Sequence, residues 1–524
     1  MTTKDIDTKF ESRCNSFFSN ISLSDFKEES LENELSLGKS IRERLFLRKR
    51  MQQKLRKDIT NKSPSKIENN FTISKELYQK CKDSIVNIEQ IELIISYFNS
   101  DNLDKKYIGL VGIRKLLCNE KPPTYIIFNN NLLPGIISFL DGNYSVEFIY
   151  EAFWCLINIS YGNENESEKI QNLGAVDKII PFLHHNLDEI KELAIWCLDN
   201  LSYDSLKIRK ILANKNILKI LITLISTNGN EKIISHCVSV IKYNMRLYSK
   251  KIKQEFDIKK LTNIISKLIM NIQYNQSNEL IKNIFFDCCY ILAHISEHFK
   301  KSINFMLENG VIEYIIELMK DPTIESKERL FHCLLKIIGN IICGDANQTK
   351  QILTDDIFNI LKKHINSHSK LIQKEICWII SNITADTQQN MIKLIDEGFF
   401  PLLVELFKKS EKEVRSELIF ALCNFSLLAD KTYLENLIDN GLLKIICECI
   451  KGDNKNEIII GLEALSNLLS FGEKYNINGQ NLIRDEVEKM GMCDFLEKLQ
   501  HHRNENIYEK AYALVEKFFK CDYF

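Results

Sequence analysis

The sequence predicts an all-α protein made of stacked helical repeats. Apolar residues make up 45% of the 524 residues, so the chain can bury a large core. It contains only 18 Gly and 7 Pro, which is too few for the closely spaced turns of an all-β protein and fits helices joined by short loops. A chain of this length is either divided into several domains or built as one repeat array.

A short motif that recurs at a regular interval favours the repeat array. An aromatic residue is followed four positions later by Asn, and the clear copies are Trp154 with Asn158, Trp196 with Asn200, Trp378 with Asn382, and Phe420 with Asn424. Weaker copies are Val240 with Asn244, Tyr290 with His294, Lys336 with Asn340, and Glu463 with Asn467. Successive Asn-type positions are 42, 44, 50, 46, 42, 42 and 43 residues apart. This spacing matches the ~40–47 residue period of armadillo and HEAT arrays.

Each period also carries a Gly or Asn turn in front of an apolar helix. Gly tolerates the left-handed conformation in which one helix ends before the next begins. These turns are predicted at Gly174, Gly310, Gly398 and Gly441. The predicted fold is therefore an all-α, right-handed superhelical armadillo-repeat solenoid of about ten repeats over residues 86–524, in which each unit buries its apolar face against its neighbours.

The aromatic and Asn positions also suggest a binding function. Residues four apart lie on the same face of a helix, so stacked repeats extend the two positions into a ladder. Asn can donate and accept hydrogen bonds along an extended peptide of any sequence. Trp offers a flat apolar surface to the stem of Lys or Arg, with a cation–π attraction of ~0.5–2 kcal/mol. The ladder therefore predicts a groove for an extended basic peptide.

Two alternatives remain open at the level of the residues. Trp could simply belong to the core while Asn bonds one helix to the next, although all three Trp occupy the same repeat position, and a buried Asn is costly unless it is paired. An armadillo scaffold of the catenin or vacuolar type could bind another protein through the same groove. A HEAT-type regulatory subunit would lack the Trp/Asn register.

The chain resembles the importin alpha family over essentially its whole length. Residues 372–375 leading into 378–385 carry the clearest likeness. Residues 114–117 and 120–123 are similar to the family's first repeat, and residues 504–508 and 514–519 are similar to its last. The resemblance implies an adaptor that binds basic nuclear localisation signals of cargo proteins, links them to importin beta, and is recycled by an exportin.

The resemblance also implies two peptide sites. The major site would comprise Trp154, Asn158, Trp196, Asn200 and Asn244, with Gly162 and Ser167 on the neighbouring loop and Asp204 as the carboxylate that faces the key lysine. The minor site would comprise Glu297, Lys336, Asn340, Trp378, Asn382, Glu417, Phe420 and Asn424. Lys336 stands where the family has an Arg that fills a Trp position, and Glu297 matches a family Asp. Val240 replaces the fourth-repeat Trp, which removes one aromatic surface from the major site.

A basic arm precedes the repeats. Residues 1–40 are predicted to be disordered, residues 41–59 a basic helix within an arm of residues 1–60, and residues 61–85 a linker. The charge of residues 41–57 is +7, which leaves −8 on the remainder of a chain whose total is −1. The arm resembles the family's importin-beta-binding segment through its cations Arg42, Arg44, Arg48, Lys49, Arg50, Lys54, Arg56 and Lys57.

Other classes of function are disfavoured by composition and motifs. No Gly-rich phosphate loop, Cys-x-x-Cys pair, His-x-x-x-His pair or nucleophile elbow is identified as a candidate site, so no enzyme, cofactor or metal site is predicted. The acidic body disfavours nucleic acid as a partner. The 16 Cys are isolated on apolar faces, as is typical of reduced buried thiols, and no apolar run approaches the ~18 residues of a membrane span. We expect a soluble protein that shuttles between cytoplasm and nucleus.

Overall fold

The computed structural model describes residues 88–118, 122–160, 164–251, 255–272, 274, 278–476 and 480–519. All of them belong to one of the two units into which the chain divides, Ile73–Phe524. The predicted arm of residues 1–60 and linker of residues 61–85 lie outside the described residues and stay predictions.

The described residues form 29 α-helices, three short 3-10 helices and connecting loops, with no β-strand among them. The 3-10 helices are Ile88–Gln90, Ile180–His184 and Phe425–Leu427. The first fifteen α-helices are α1 Ile91–Phe98, α2 Leu103–Leu117, α3 Thr124–Asn129, α4 Leu133–Ser138, α5 Val146–Ile159, α6 Glu164–Asn172, α7 Ala175–Ile179, α8 Asp188–Asp204, α9 Leu206–Asn214, α10 Ile217–Thr227, α11 Glu231–Lys251, α12 Glu255–Asn271, α13 Glu279–His298, α14 Lys301–Glu308 and α15 Val311–Met319. The remaining ones are α16 Pro322–Glu325, α17 Glu328–Ile342, α18 Ala346–Ile352, α19 Asp355–His364, α20 Lys370–Asp386, α21 Gln388–Asp396, α22 Phe399–Lys409, α23 Lys412–Asn424, α24 Lys431–Asp439, α25 Leu442–Ile450, α26 Lys455–Lys474, α27 Leu482–Lys489, α28 Met492–Leu499 and α29 Glu505–Phe518.

We call the last and longest helix of each repeat its ladder helix, because eight of these helices, from α5 to α26, carry the eight copies of the motif. There are ten of them among the described residues: α2, α5, α8, α11, α13, α17, α20, α23, α26 and α29. Each ladder helix packs against the next along the whole series. The armadillo-repeat solenoid of about ten repeats that the sequence predicts is therefore confirmed.

Short polar side chains fix where many ladder helices begin. The side chain of Asn102 accepts a hydrogen bond from the backbone N–H of Lys105 at 3.0 Å, and Asn504 accepts one from Ile507 at 3.2 Å. Such caps satisfy backbone donors that have no partner within the helix. Asn278, Ser369 and Asn454 cap α13, α20 and α26 in the same way.

The predicted Gly turns are confirmed. Gly174, Gly310, Gly398 and Gly441 have φ angles of 73°, 80°, 77° and 103°, each directly before the next helix of its repeat. A Cβ added at any of them would meet no atom within 4 Å. The requirement for Gly is therefore the left-handed backbone and not a lack of space.

Five of the cysteines that the sequence places on apolar helical faces are buried. Free, buried thiols are found at Cys155, Cys197, Cys333, Cys377 and Cys423. Within the described part of the chain, no helix combines the length and the apolar character that a membrane crossing needs.

Candidate functional site

The ladder asparagines join neighbouring repeats by a recurring hydrogen-bond pattern. Nδ2 of Asn200 donates to the carbonyl oxygen of Ile157 at 3.2 Å and lies 3.4 Å from Oγ of Ser160. These acceptors are one residue before and two residues after Asn158, the ladder Asn of the preceding repeat. The same arrangement joins Asn340 to Ala293 and Ser296, and Asn424 to Ser381 and Thr384.

The sequence contains a signal for this contact that the aromatic motif alone does not show. A hydroxyl residue lies two positions after many of the ladder positions, at Ser160, Ser202, Ser296, Thr384 and Ser426. Oγ of Ser426 accepts a hydrogen bond from Nδ2 of Asn467 at 3.2 Å. The structural alternative for Asn is therefore correct for these amide groups, because they bond one repeat to the next.

Asn382 differs from the other ladder asparagines. It is 6% exposed, yet its Nδ2 has no hydrogen-bond partner. A buried polar group without a partner costs free energy in the folded state and needs an explanation. A ligand that accepts hydrogen bonds from this amide would remove that cost.

Asn340→Leu and Asn382→Leu make a matched pair of substitutions. Asn340→Leu should lower the free energy of unfolding by ~1 kcal/mol, because it removes two hydrogen bonds between repeats. Asn382→Leu should be neutral or stabilising, because the lost donor has no partner. Hydrogen exchange of α17 and α20 measures both, because a long repeat array need not unfold in one step. Equal losses in the two variants would contradict the different bonding of the two amides.

The fourth repeat is out of the register that the sequence predicts. Four contacts between α8 and α11 join residues 40 positions apart: Glu192 with Lys232, Trp196 with His236, Asp199 with Ser239, and Tyr203 with Tyr243. His236, and not Val240, therefore occupies the position of Trp196. Val240 then corresponds to Asn200, and Asn244 corresponds to Asp204.

The assignment of Asn244 to the ladder is therefore wrong. Its Nδ2 donates to the carbonyl oxygen of Val240 within α11 at 2.8 Å and makes no bond to the preceding repeat, while its Oδ1 is buried without a partner. Val240 and Asn244 have the four-residue spacing of the motif, but they lie one helical turn after the true ladder positions of this repeat. The correct register is visible in the buried Cys155, Cys197 and Cys237, each of which directly follows the ring position.

The rings of the second to fourth repeats pack against one another. Trp154 meets Trp196 edge-on with ring centroids 5.4 Å apart, and His236 stacks on Trp196 at 5.5 Å with an interplanar angle of 17°. The two indoles are only 5% and 6% exposed. Because a stem held between two rings needs about 3.5–4 Å on each side, this row must open before it can take a lysine. The expectation of two open Trp surfaces here is wrong for the structure as described.

The aromatic side chains of the seventh and eighth repeats are more accessible. Trp378 on α20 and Phe420 on α23 are each half-buried. Trp378 approaches the preceding repeat where Gly339 has no side chain, since a Cβ there would lie 2.3 Å from the indole. Glu417 is half-buried and lies one turn before Phe420 on α23.

Two members of the predicted minor site bind each other. Nζ of Lys336 lies 2.8 Å from Oε2 of Glu297 on the preceding ladder helix. Burial opposes the ammonium charge, but the attraction and hydrogen bond of Glu297 outweigh it and raise the pKa of Lys336 above its usual range. This ion pair joins the fifth repeat to the sixth. Both residues also belong to the predicted minor site.

The remaining residues of the predicted major site are only partly brought together. Asp204 is the last residue of α8, one turn beyond Asn200, and is half-buried. Nδ2 of Asn158 lies 3.5 Å from Sγ of Cys118. Ser167 lies within α6 and is fully buried, so its predicted place on a loop is wrong. Gly162 lies outside the described residues.

A buried polar network surrounds the fourth repeat, which the sequence motif did not indicate. Nδ1 of His236 lies 2.8 Å from Oδ2 of Asp199. Nζ of Lys242 lies 2.7 Å from Oδ1 of Asp287. Burial opposes both charges and raises the pKa of Asp287, while attraction to Asp287 holds the pKa of Lys242 above its usual range.

The exclusion of His-x-x-x-His pairs is wrong, because this spacing occurs twice, at His294 with His298 and at His364 with His368. His294 and His298 form a His-x-x-x-His pair on α13, and their ring centroids lie 4.3 Å apart. Within the described part of the chain, no cluster of three or more His, Cys, Asp or Glu is arranged to hold a metal ion. The spacing of His294 and His298 therefore offers two neighbouring imidazole rings.

Comparisons with known proteins agree with the fold and with the resemblance. Residues 481–524 match the family model described as an atypical Arm repeat. The crystal structure of an engineered protein from the Northeast Structural Genomics Consortium superposes with a TM-score of 0.64 at 17% identity, covering 82% of this chain and 98% of that one. The molecule is thus an armadillo-repeat solenoid protein.

Importin alpha subunits are among the proteins to which this chain is similar in sequence. Importin subunit alpha-1b of Oryza sativa subsp. japonica is 25% identical over 82% of this chain and 79% of its own length. Importin subunit alpha-5 of Arabidopsis thaliana is 25% identical over 82% of this chain and 81% of its own. The resemblance to importin alpha is therefore confirmed over about four fifths of the chain.

Proposed function

We propose that this protein is a nuclear import adaptor that binds basic nuclear localisation peptides along its ladder helices and links them to importin beta. The names of its relatives support this function. The observation that carries the binding step is Asn382, which lies on the same face of α20 as the half-buried Trp378 and whose buried Nδ2 has no hydrogen-bond partner. A peptide carbonyl could accept from that amide while a Lys or Arg stem lies on the indole.

Carboxylates near each set of rings support a cationic ligand. Asp204 follows Asn200 by one turn, and Glu417 precedes Phe420 by about one turn. A Lys ammonium lying across a ring could reach such a carboxylate and form a charge-assisted hydrogen bond. Trp154, Asn158, Trp196, Asn200 and Asp204 then form the major site, with His236 in place of a third indole, and the repeats from Lys336 to Asn424 form the minor site.

Peptide titration tests the binding step. Adding a Lys-rich peptide to the full chain should shift or quench the Trp emission, because the peptide either separates Trp154 from Trp196 or covers Trp378. A Glu-rich peptide of the same length is the control and should leave the emission unchanged. Unchanged emission at saturating Lys-rich peptide would contradict the adaptor function and favour an armadillo scaffold with another protein partner.

The basic arm is proposed to bind importin beta, and its charge of +7 supports this. Arg48, Lys49 and Arg50 replaced together by Ala should abolish binding to importin beta and leave peptide binding intact, because the ladder is unchanged. A pull-down with importin beta measures the first effect, and the peptide titration measures the second. If importin beta still binds after deletion of residues 1–60, the arm is not the segment that binds importin beta.

The remaining consequences follow from the adaptor function. The protein would shuttle between cytoplasm and nucleus through the nuclear pore and would return with an exportin. It would act by binding alone, without enzymatic activity, and neither nucleic acid nor insertion into a membrane would be part of its action.

A further inference from the structure

His294 and His298 lie on one face of α13 at the ladder position of the fifth repeat. Residues four apart on a helix are stacked neighbours, and here the two imidazole rings are 4.3 Å apart between centroids with an interplanar angle of 25°. His294 is 9% exposed, whereas His298 is exposed to solvent. One ring is therefore held by packing and the other can be reached by a solute.

The hydrogen bonding of His298 leaves one ring nitrogen available as a ligand. Its Nδ1 lies 3.1 Å from the carbonyl oxygen of His294. A carbonyl can only accept, so Nδ1 carries the hydrogen and Nε2 of the neutral ring has the lone pair. Metal-ligating histidines characteristically donate their second ring N–H to such a carbonyl, which fixes the orientation of the ring.

His294 supplies the second observation. Its Nδ1 is buried and has no hydrogen-bond partner, although buried polar atoms are nearly always paired. A metal ion would give this nitrogen the partner that it lacks.

We infer that His294 and His298 together bind one borderline divalent transition-metal ion, such as Zn²⁺ or Cu²⁺, with water completing the coordination. Imidazole nitrogen suits these ions better than it suits Mg²⁺ or Ca²⁺. Metal–nitrogen distances of about 2.0–2.1 Å put the two ligating nitrogens roughly 3.3 Å apart in a tetrahedral site. Small rotations of two rings that are already neighbours can meet this distance. Glu297 stays with Lys336 and is not needed as a ligand.

Cu²⁺ binding to the full chain tests the site. We expect a Cu²⁺ electron paramagnetic resonance spectrum with splitting from two imidazole nitrogens, and the bound spectrum should be lost in both His294→Ala and His298→Ala. His298→Ala is the safer variant because its side chain is exposed and its removal leaves no cavity. Circular dichroism and the thermal midpoint without metal check that each variant is folded.

His332→Ala is the matched control. His332 lies on the next ladder helix with its Nε2 3.1 Å from Glu375, so its removal should leave the Cu²⁺ spectrum and affinity unchanged. Zn²⁺ should compete for the same site, as measured by the loss of the Cu²⁺ signal. An unchanged Cu²⁺ spectrum in folded His298→Ala would overturn the inference and assign the ion elsewhere, for example to His501 and His502. The absence of any bound Cu²⁺ in the full chain would overturn it as well.

Discussion

Asp204→Lys should weaken the binding of a single-cluster basic peptide by about 100-fold or more. The substitution removes the carboxylate that would accept from the peptide's lysine and puts a like charge in its place. A charge-assisted hydrogen bond at a half-buried carboxylate contributes ~1.5–3 kcal/mol. Asp204 is also the last residue of α8, where the free backbone carbonyls add negative potential that attracts the cation. Fluorescence anisotropy of a labelled peptide measures the change in affinity.

Glu417→Arg in the minor site is the matched comparison. Glu417 lies in the interior of α23, Lys412–Asn424, away from the carbonyl end of the helix. It therefore lacks the added potential that acts at Asp204, and its substitution should weaken the same peptide much less. If both substitutions weaken the peptide equally, or if Asp204→Lys leaves it bound, Asp204 does not define the major site.

The closed rings of the second to fourth repeats do not change the direction of this comparison. Separating an aromatic pair such as Trp154 and Trp196 costs ~0.5–1.5 kcal/mol. This cost lowers the affinity for peptide equally in the wild-type chain and in each variant. It therefore cancels when Asp204→Lys is compared with the wild type.

The fold could be predicted because the repeat period can be read directly from the amino-acid sequence. Several repeats share the same Gly turn and the same apolar positions, so Gly174 and Gly310 reappear with the same left-handed backbone, and Asn216 adopts it in the fourth repeat. The exposure of a side chain has no such local signature. Trp154 and Trp378 occupy equivalent sequence positions, yet one is packed against Trp196 and the other is half-buried.

The register of the fourth repeat shows a second limit of the sequence. Val240 and Asn244 have the correct spacing, and a motif four residues long is satisfied equally well one helical turn away. Contacts with the preceding helix decide between the two registers, through His236 on Trp196 and Lys232 beside Glu192. The four-residue motif alone does not show these pairs, although Cys237, which follows His236 as Cys197 follows Trp196, marks the same register in the sequence.

The corrected register also explains why a buried ion pair is present beside this repeat. Lys242 stands where Ser160 and Ser202 stand in the two preceding repeats, two positions after the ladder position. The next ladder residue is His294, which has no amide to donate. The bond between Asn and a hydroxyl that joins other repeats is thus replaced here by Lys242 and Asp287.

Lys242→Ala should lower the free energy of unfolding by about 3–5 kcal/mol, the cost of leaving one partner of a buried ion pair uncompensated. The side chains of Lys242 and Asp287 are only 20% and 14% exposed, so water would solvate the remaining carboxylate poorly. The loss should be smaller at acid pH, because protonation of Asp287 removes its charge. Hydrogen exchange of α11 and α13 is the suitable measurement, since a long repeat array need not unfold in one step.

The double variant Lys242→Met with Asp287→Leu separates the buried charge from the loss of packing. Apolar side chains of similar volume remove both charges together, and replacing a whole buried pair in this way is often neutral or stabilising. Exchange in α11 and α13 should therefore return close to that of the wild type. If Lys242→Ala leaves exchange unchanged, or if the double variant is as unstable as the single one, the ion pair does not join the fourth and fifth repeats.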